Sequence, residues 1–149
     1  MLSVTNEIIK GVARQLNAAF GDGYEIYQNM VQQGLQEPCF FIGVLQPEQQ
    51  PLLGSRALRR NPLVIQYFPR ADGDNAEMLE AAEKLLENLE FIQLLDGDWL
   101  HGTNMRYEIQ NGILHFFVNF NLTVNRLQQE QNMEDLSFEQ GINREKIKE

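Results

Sequence analysis

The stretch that decides the fold reads Met105-Arg-Tyr-Glu-Ile-Gln110, then Asn111-Gly112, then Ile113-Leu-His-Phe-Phe-Val-Asn-Phe-Asn-Leu-Thr-Val124. Asn-Gly between two β-prone runs marks a two-residue hairpin, because both residues tolerate the positive φ of a type I′ turn. In the second run Leu114, Phe116, Val118, Phe120, Leu122 and Val124 share one face, and His115, Asn119, Asn121 and Thr123 share the other. A two-residue loop pairs Ile109 with Leu114, Tyr107 with Phe116 and Met105 with Val118. It also sets His115 opposite Glu108 and Arg106 opposite Phe117. Turn and alternation agree on this register, since a slip of one residue would turn the apolar face to water. The hairpin is therefore the expected core-forming surface. Its second strand runs about 12 residues, roughly 40 Å at ~3.4 Å per residue. That exceeds what a compact domain needs, so the far end is expected to bend or to reach a partner.

Upstream, Val4, Ile8, Val12, Leu16 and Phe20 recur at four-residue steps, one stripe of an amphipathic helix over residues 3–20. Ser3 or Thr5 caps it and Gly21-Asp22-Gly23 stops it. Residues 24–30 read as a short strand, with Gln32-Gln33-Gly34 as a loop. Residues 38–46 are apolar on both faces, as in a central strand, with Pro38 at its first position. Residues 47–54 make a polar loop. Residues 55–60 and 63–69 read as a second hairpin around Asn61-Pro62, its arginine-rich arm at an edge. Asp74 and Glu77 have capping-box spacing. Behind them Met78, Ala82, Leu85, Leu86 and Leu89 form the stripe of a second helix over residues 75–90. Residues 91–95 suggest a short strand, and Asp96 to Gly102 a turn-rich link into the hairpin.

The order is thus α-β-β-hairpin-α-hairpin. It implies an α+β fold of one twisted, largely antiparallel sheet with two main helices packed on one face. Residues 1–126 are expected to form the domain. Residues 127–149 form a polar tail that is flexible or docks on a neighbouring subunit through Leu136, Phe138 and Ile142.

A chain of 149 residues suffices for one domain and needs no disulfide or metal to fold. The single cysteine, Cys39, excludes an internal disulfide and fits a reducing cytoplasm. No basic region followed by an apolar run opens the chain, and no apolar run approaches ~20 residues, so neither a signal peptide nor a membrane span is expected. A net charge of −9 argues against nucleic-acid binding by phosphate neutralisation. The charge is unevenly placed. Residues 53–70 hold four arginines (Arg56, Arg59, Arg60, Arg70) and no acid, while residues 72–98 hold nine acids, Glu80, Glu83 and Glu87 among them, and one base, Lys84. Two readings fit: separate solvated faces, or surfaces that meet between subunits, as the unlike patches of a head-to-tail interface do.

Catalytic and ligand-binding chemistry finds little support. Cys39 sits in the most apolar strand, where a thiol is structural rather than nucleophilic. His115 is expected to pair across the strands with Glu108, and Arg106 to stack on Phe117. Asp96-Gly-Asp98 begins like a calcium loop, but Leu100 cannot ligate and Tyr107 stands where the closing glutamate belongs, so it is a turn. Metal-ligand spacing and a phosphate-binding glycine loop are both missing, and no cofactor is expected. The odd-numbered face of the last strand is amide-rich, which suits either a solvent face or a semi-polar contact surface.

Three stretches stand together: Gln33-Gly-Leu-Gln-Glu-Pro-Cys-Phe-Phe-Ile42, Tyr67-Phe-Pro69, and Tyr107-Glu-Ile-Gln-Asn-Gly-Ile-Leu-His-Phe-Phe-Val-Asn-Phe120. Over residues 4–126 the chain resembles the phage tail terminator family of phages and prophages of Gram-positive bacteria, including contractile tail-like particles. The resemblance implies a non-enzymatic structural protein. It would form a homohexameric ring on the head-proximal end of the tail tube, end tube polymerisation and join the tail to the neck. The implied partners are the tail tube protein, the sheath protein where there is one, and a neck or head-completion protein. DNA would pass through unbound, no membrane is involved, and the virion tail would be assembled in the host cytoplasm. Arg56, Arg59, Arg60, Arg70, Glu80, Glu83 and Glu87 are the interface candidates, drawn from charge placement. Two alternatives remain at this level. One is another head–tail connector or neck protein; the other is a monomeric binding module or an enzyme with scattered site residues.

Overall fold

The computed structural model describes residues 3–28 and 34–125; residues 127–149, expected as a polar tail, lie outside it. Two helices and seven strands follow in the order α1 (Val4–Phe20), β1 (Glu25–Tyr27), β2 (Cys39–Val44), β3 (Glu48–Pro51), β4 (Arg56–Phe68), α2 (Asn75–Asn88), β5 (Phe91–Gln93), β6 (Trp99–Gln110) and β7 (Ile113–Asn125). The strands form one curled, mostly antiparallel sheet in the order β1-β2-β4-β7-β6-β5, with β3 paired to β4. β1 and β2 run parallel, from Glu25 against Cys39. The α+β class, with two helices on one face, is the one expected.

Local chemistry explains the element ends. Ser3 Oγ accepts the Asn6 N–H at 3.1 Å and caps α1. Gly21, at φ +89°, ends it by donating to the Asn17 carbonyl at 2.8 Å. Asp74 accepts the Glu77 N–H at 3.2 Å, half of a capping box. Asn111 and Gly112 adopt φ +54° and +74°, the two positive values of a type I′ turn.

The β6–β7 register follows the turn: Gln110 faces Ile113, Ile109 Leu114, Glu108 His115, Tyr107 Phe116 and Arg106 Phe117. It then departs from the expected pairing of Met105 with Val118. A bulge sets Thr103 opposite Asn119 and Gly102 opposite Phe120, with Asn104 in the left-handed region at φ +53°. A bulge strengthens local twist and lets a long strand curl with its sheet. β6 itself starts at Trp99, so the link expected over residues 96–102 is a tight turn followed by strand.

The second hairpin is also placed differently. Residues 56–68 are a single strand through Asn61-Pro62, and β3, inside the segment read as a loop, is its hairpin partner. Proline's φ suits extended backbone as well as a turn. The Pro62 carbonyl still accepts the Leu45 N–H at 2.9 Å, and the fully buried Asn61 donates Nδ2–H to the Phe120 carbonyl at 3.0 Å. Hydrogen bonds to neighbouring segments thus hold straight a dipeptide that bends when left to itself.

The core alternates as the pattern requires. Leu114, Phe116, Val118 and Phe120 of β7 are buried with Phe40 and Ile42 of β2, Leu63, Ile65 and Tyr67 of β4, Ile8, Val12 and Leu16 of α1, and Met78, Ala82 and Leu85 of α2. Phe20, Tyr24, Phe40 and Tyr67 stack into an aromatic cluster, Phe40 to Tyr67 at 4.9 Å. Two glycines stand at close approaches, and at Gly102 there is no room for a Cβ. A Cβ on Gly11 would lie 3.1 Å from the Gln93 carbonyl oxygen, and one on Gly102 would lie 2.4 Å from that of Leu89.

By internal contacts the chain divides into two compact units, residues 1–48 with 60–121, and Gln49–Arg59 with the end of β7 from Leu122. The first holds both helices and the core. In the second, the β3–β4 turn closes with the Leu52 N–H on the Arg56 carbonyl at 2.9 Å, and Ser55 Oγ donates to Asn125 Oδ1 at 3.0 Å.

Candidate functional site

The charged candidates fall on distinct elements. Arg56 and Arg59 belong to the second unit, Arg56 exposed and Arg59 half-buried. Arg60, next along β4, places Nη1 3.3 Å from Glu48 Oε1, a partner hidden from sequence reasoning because Glu48 lay in an assumed loop. Arg70 lies in the loop after β4 with its guanidinium carbon 5.6 Å from the centre of the Tyr24 ring. Glu80, Glu83 and Glu87 are exposed along α2. Their spacing of three and four residues gathers negative charge on one helix face. The one base among them, Lys84, places Nζ 4.9 Å from the centre of the Phe20 ring. With Leu79 these residues border a shallow depression of ≈ 330 Å³.

Glu77 is the residue the sequence reading missed as a hub. Its carboxylate accepts the Tyr67 hydroxyl, the Arg70 N–H at 2.7 Å and the Ala71 N–H at 3.2 Å. Burial alone would raise its pKa; those hydrogen bonds and the Arg70 charge outweigh burial and hold the carboxyl below its ordinary range. Burial, and next the Glu77 carboxylate, push the Tyr67 phenol far above its usual value. The capping-box spacing had marked Glu77, but here it ties α2 to the end of β4 rather than to its own cap. A recess of ≈ 300 Å³ opens beside it, lined by Phe20, Tyr24, Tyr67, Asp74, Glu80 and Lys84 among others.

The candidates for chemistry resolve as structural groups. Cys39 is fully buried, and burial followed by the nearby Glu37 and Glu25 charges raises its thiol pKa to about 11, so it is protonated at neutral pH. His115 faces Glu108 in register, yet the neighbouring strand supplies its hydrogen bond: Nδ1 lies 3.2 Å from Gln66 Nε2. Arg106 does stack on Phe117, at 4.7 Å. Asp96 Oδ1 accepts the Asp98 N–H at 2.9 Å, closing the expected turn. Among the described residues no three His, Cys, Asp or Glu side chains gather as metal ligands, and no helix is long and apolar enough to cross a membrane.

A protein-family model described as phage tail terminator protein matches residues 7–132. The chain belongs to the phage tail terminator family. No curated protein matches it significantly. Membership makes this terminator a component of the virion tail and gives its exposed charges a context.

Proposed function

We propose that this terminator closes into a homohexameric ring on the head-proximal end of the tail tube, ends tube polymerisation and presents a joint to the neck. Family membership carries the reading. The separation of charge supports it: Arg56 and Arg59 lie on a segment without acids, and Glu80, Glu83 and Glu87 line an exposed helix face. Unlike patches of opposite sign suit a head-to-tail contact, which closes when the rotation between neighbours completes a circle. The role needs no catalysis. The partners are copies of the chain, the tube protein, the sheath protein of a contractile tail, and a neck protein. A net charge of −9 suits a conduit that DNA crosses without adhering.

The test adds the purified chain to growing tail tubes. Tube lengths are read by electron microscopy and the oligomer by native mass spectrometry. Six-membered rings at one tube end, with growth arrested there, are expected; tubes that lengthen unchanged without bound chain would overturn the reading. The double variant Arg56→Glu with Arg59→Glu should weaken ring formation about tenfold or more.

A further inference from the structure

The short β5–β6 hairpin carries an aromatic patch that the charge argument does not use. Phe91, Leu95 and Trp99 are 49%, 63% and 60% exposed. The register sets Phe91 opposite His101 and Gln93 opposite Trp99, so these four share the face away from buried Ile92 and Leu100. Phe91 and His101 stack at 4.8 Å. The charges that border the patch along the chain are Glu90, Asp96 and Asp98; residues 85–105 hold no Lys or Arg, and Arg14 is bonded to the Gln93 carbonyl at 2.5 Å. Among the described residues β5 is an edge strand of the sheet. Clustered exposed aromatics with an acidic rim mark a contact surface, whereas single exposed apolar residues do not.

The second unit carries the complement. Leu53, 91% exposed, stands at the tip between β3 and β4; the nearest charge along the chain is Arg56, followed by Arg59, while Glu48 on the other side is paired with Arg60 at 3.3 Å.

We propose that the Phe91–Leu95–Trp99 patch receives the β3–β4 tip of a second copy of this chain, Leu53 packing on Trp99 and Leu95 and Arg56 facing Asp96 and Asp98. The contact joins two different surfaces, so each copy offers one tip and one patch, and the contact repeats around a ring instead of stopping at a pair. Trp and Arg are the residue types that most often anchor interfaces. The proposal rests on the ring reading and names the surfaces that close the ring.

The test uses full-length chains and a short bismaleimide cross-linker, with buried Cys39 as the only native thiol. Leu53→Cys and Trp99→Cys chains, separately tagged, are mixed in solution and on tube tips. Circular dichroism checks that each folds, and native mass spectrometry reads the oligomer. The mixture should give a covalent dimer containing both chains, about tenfold or more above a mixture of Leu53→Cys with the exposed-loop control Asp22→Cys. As a second variant, Leu53→Asp should raise the concentration at which rings half-form by about tenfold or more. Rings without the mixed cross-link would overturn the docking proposal and leave the ring reading standing. Absence of any oligomer, free or on tubes, would overturn both. Cross-linking of Trp99→Cys to a tube subunit would overturn the proposal and assign the patch to the tube.

Discussion

Glu77→Ala removes the acceptor of three hydrogen bonds at once, from Tyr67 Oη–H and from the Arg70 and Ala71 N–H groups. The Tyr67 side chain is 1% exposed, so its hydroxyl is left with a buried, unmatched donor at a cost of about 1–3 kcal/mol. The two backbone donors lie in an exposed loop, where water replaces the carboxylate and the net loss is about 0.5 kcal/mol each. The expected destabilisation is about 2–4 kcal/mol, a fall in Tm of about 5–15 °C for a chain of this length. Differential scanning calorimetry at pH 7 measures it. The pH dependence has a definite sign. The folded-state carboxyl titrates below its unfolded value, so its stabilisation is fully present above the unfolded pKa of about 4.3 and is lost as pH falls through the lower folded value. The gap between wild type and Glu77→Ala should be full at pH 6–7 and should narrow below pH of about 4. A double-mutant cycle with Tyr67→Phe should show coupling of about 1 kcal/mol or more. A Tm unchanged at pH 7, additive single mutants, or a gap indifferent to pH would refute the account.

Gly102→Ala should destabilise the chain by about 3 kcal/mol, because its Cβ would sit 2.4 Å from the Leu89 carbonyl oxygen and 2.9 Å from Val118 Cγ2. Relief by backbone shift would strain the Gly102 N–H bond to the Glu90 carbonyl at 2.7 Å. The urea midpoint reads this, and a loss under about 1 kcal/mol would contradict it. Cys39 should react with a maleimide at pH 8 at least about 100-fold more slowly in the folded chain than in denaturant, since the thiolate is the nucleophile and burial suppresses it. Equal rates would show that β2 opens readily.

The readings that held are those where neighbouring residues settle the matter among themselves. Asn111-Gly112 selects a turn whose geometry dictates a register, and alternation over Leu114–Phe120 assigns the buried face; both appear as expected. Both helices follow from four-residue apolar steps and local caps. The misreadings share a different cause. Asn61-Pro62 favours a turn in isolation, but Phe120 and Leu45 supply hydrogen bonds that keep it in a strand. Glu48 looked like loop until β4 brought Arg60 to it. His115 took Gln66 from a neighbouring strand over the Glu108 opposite it. Arg56, Arg59, Glu80, Glu83 and Glu87 were legible as charge, because composition is local. The aromatic patch was not, because exposure is a property of the packed chain.

By itself, the sequence of this terminator determined the hairpin and its register, the two helices, the core-facing residues and the segregation of charge. Each of these rests on spacings of two to four residues or on the dihedral preferences of single residues. The tertiary structure alone decided that residues 56–68 run straight, that the β6–β7 register shifts at Asn104, and that Glu77 ties α2 to β4. It alone decided, too, that Phe91, Leu95 and Trp99 remain in solvent. Those outcomes depend on which distant backbone groups arrive as hydrogen-bond partners and on which side of a strand the helices cover. Residues far apart in the chain meet only once the sheet has formed.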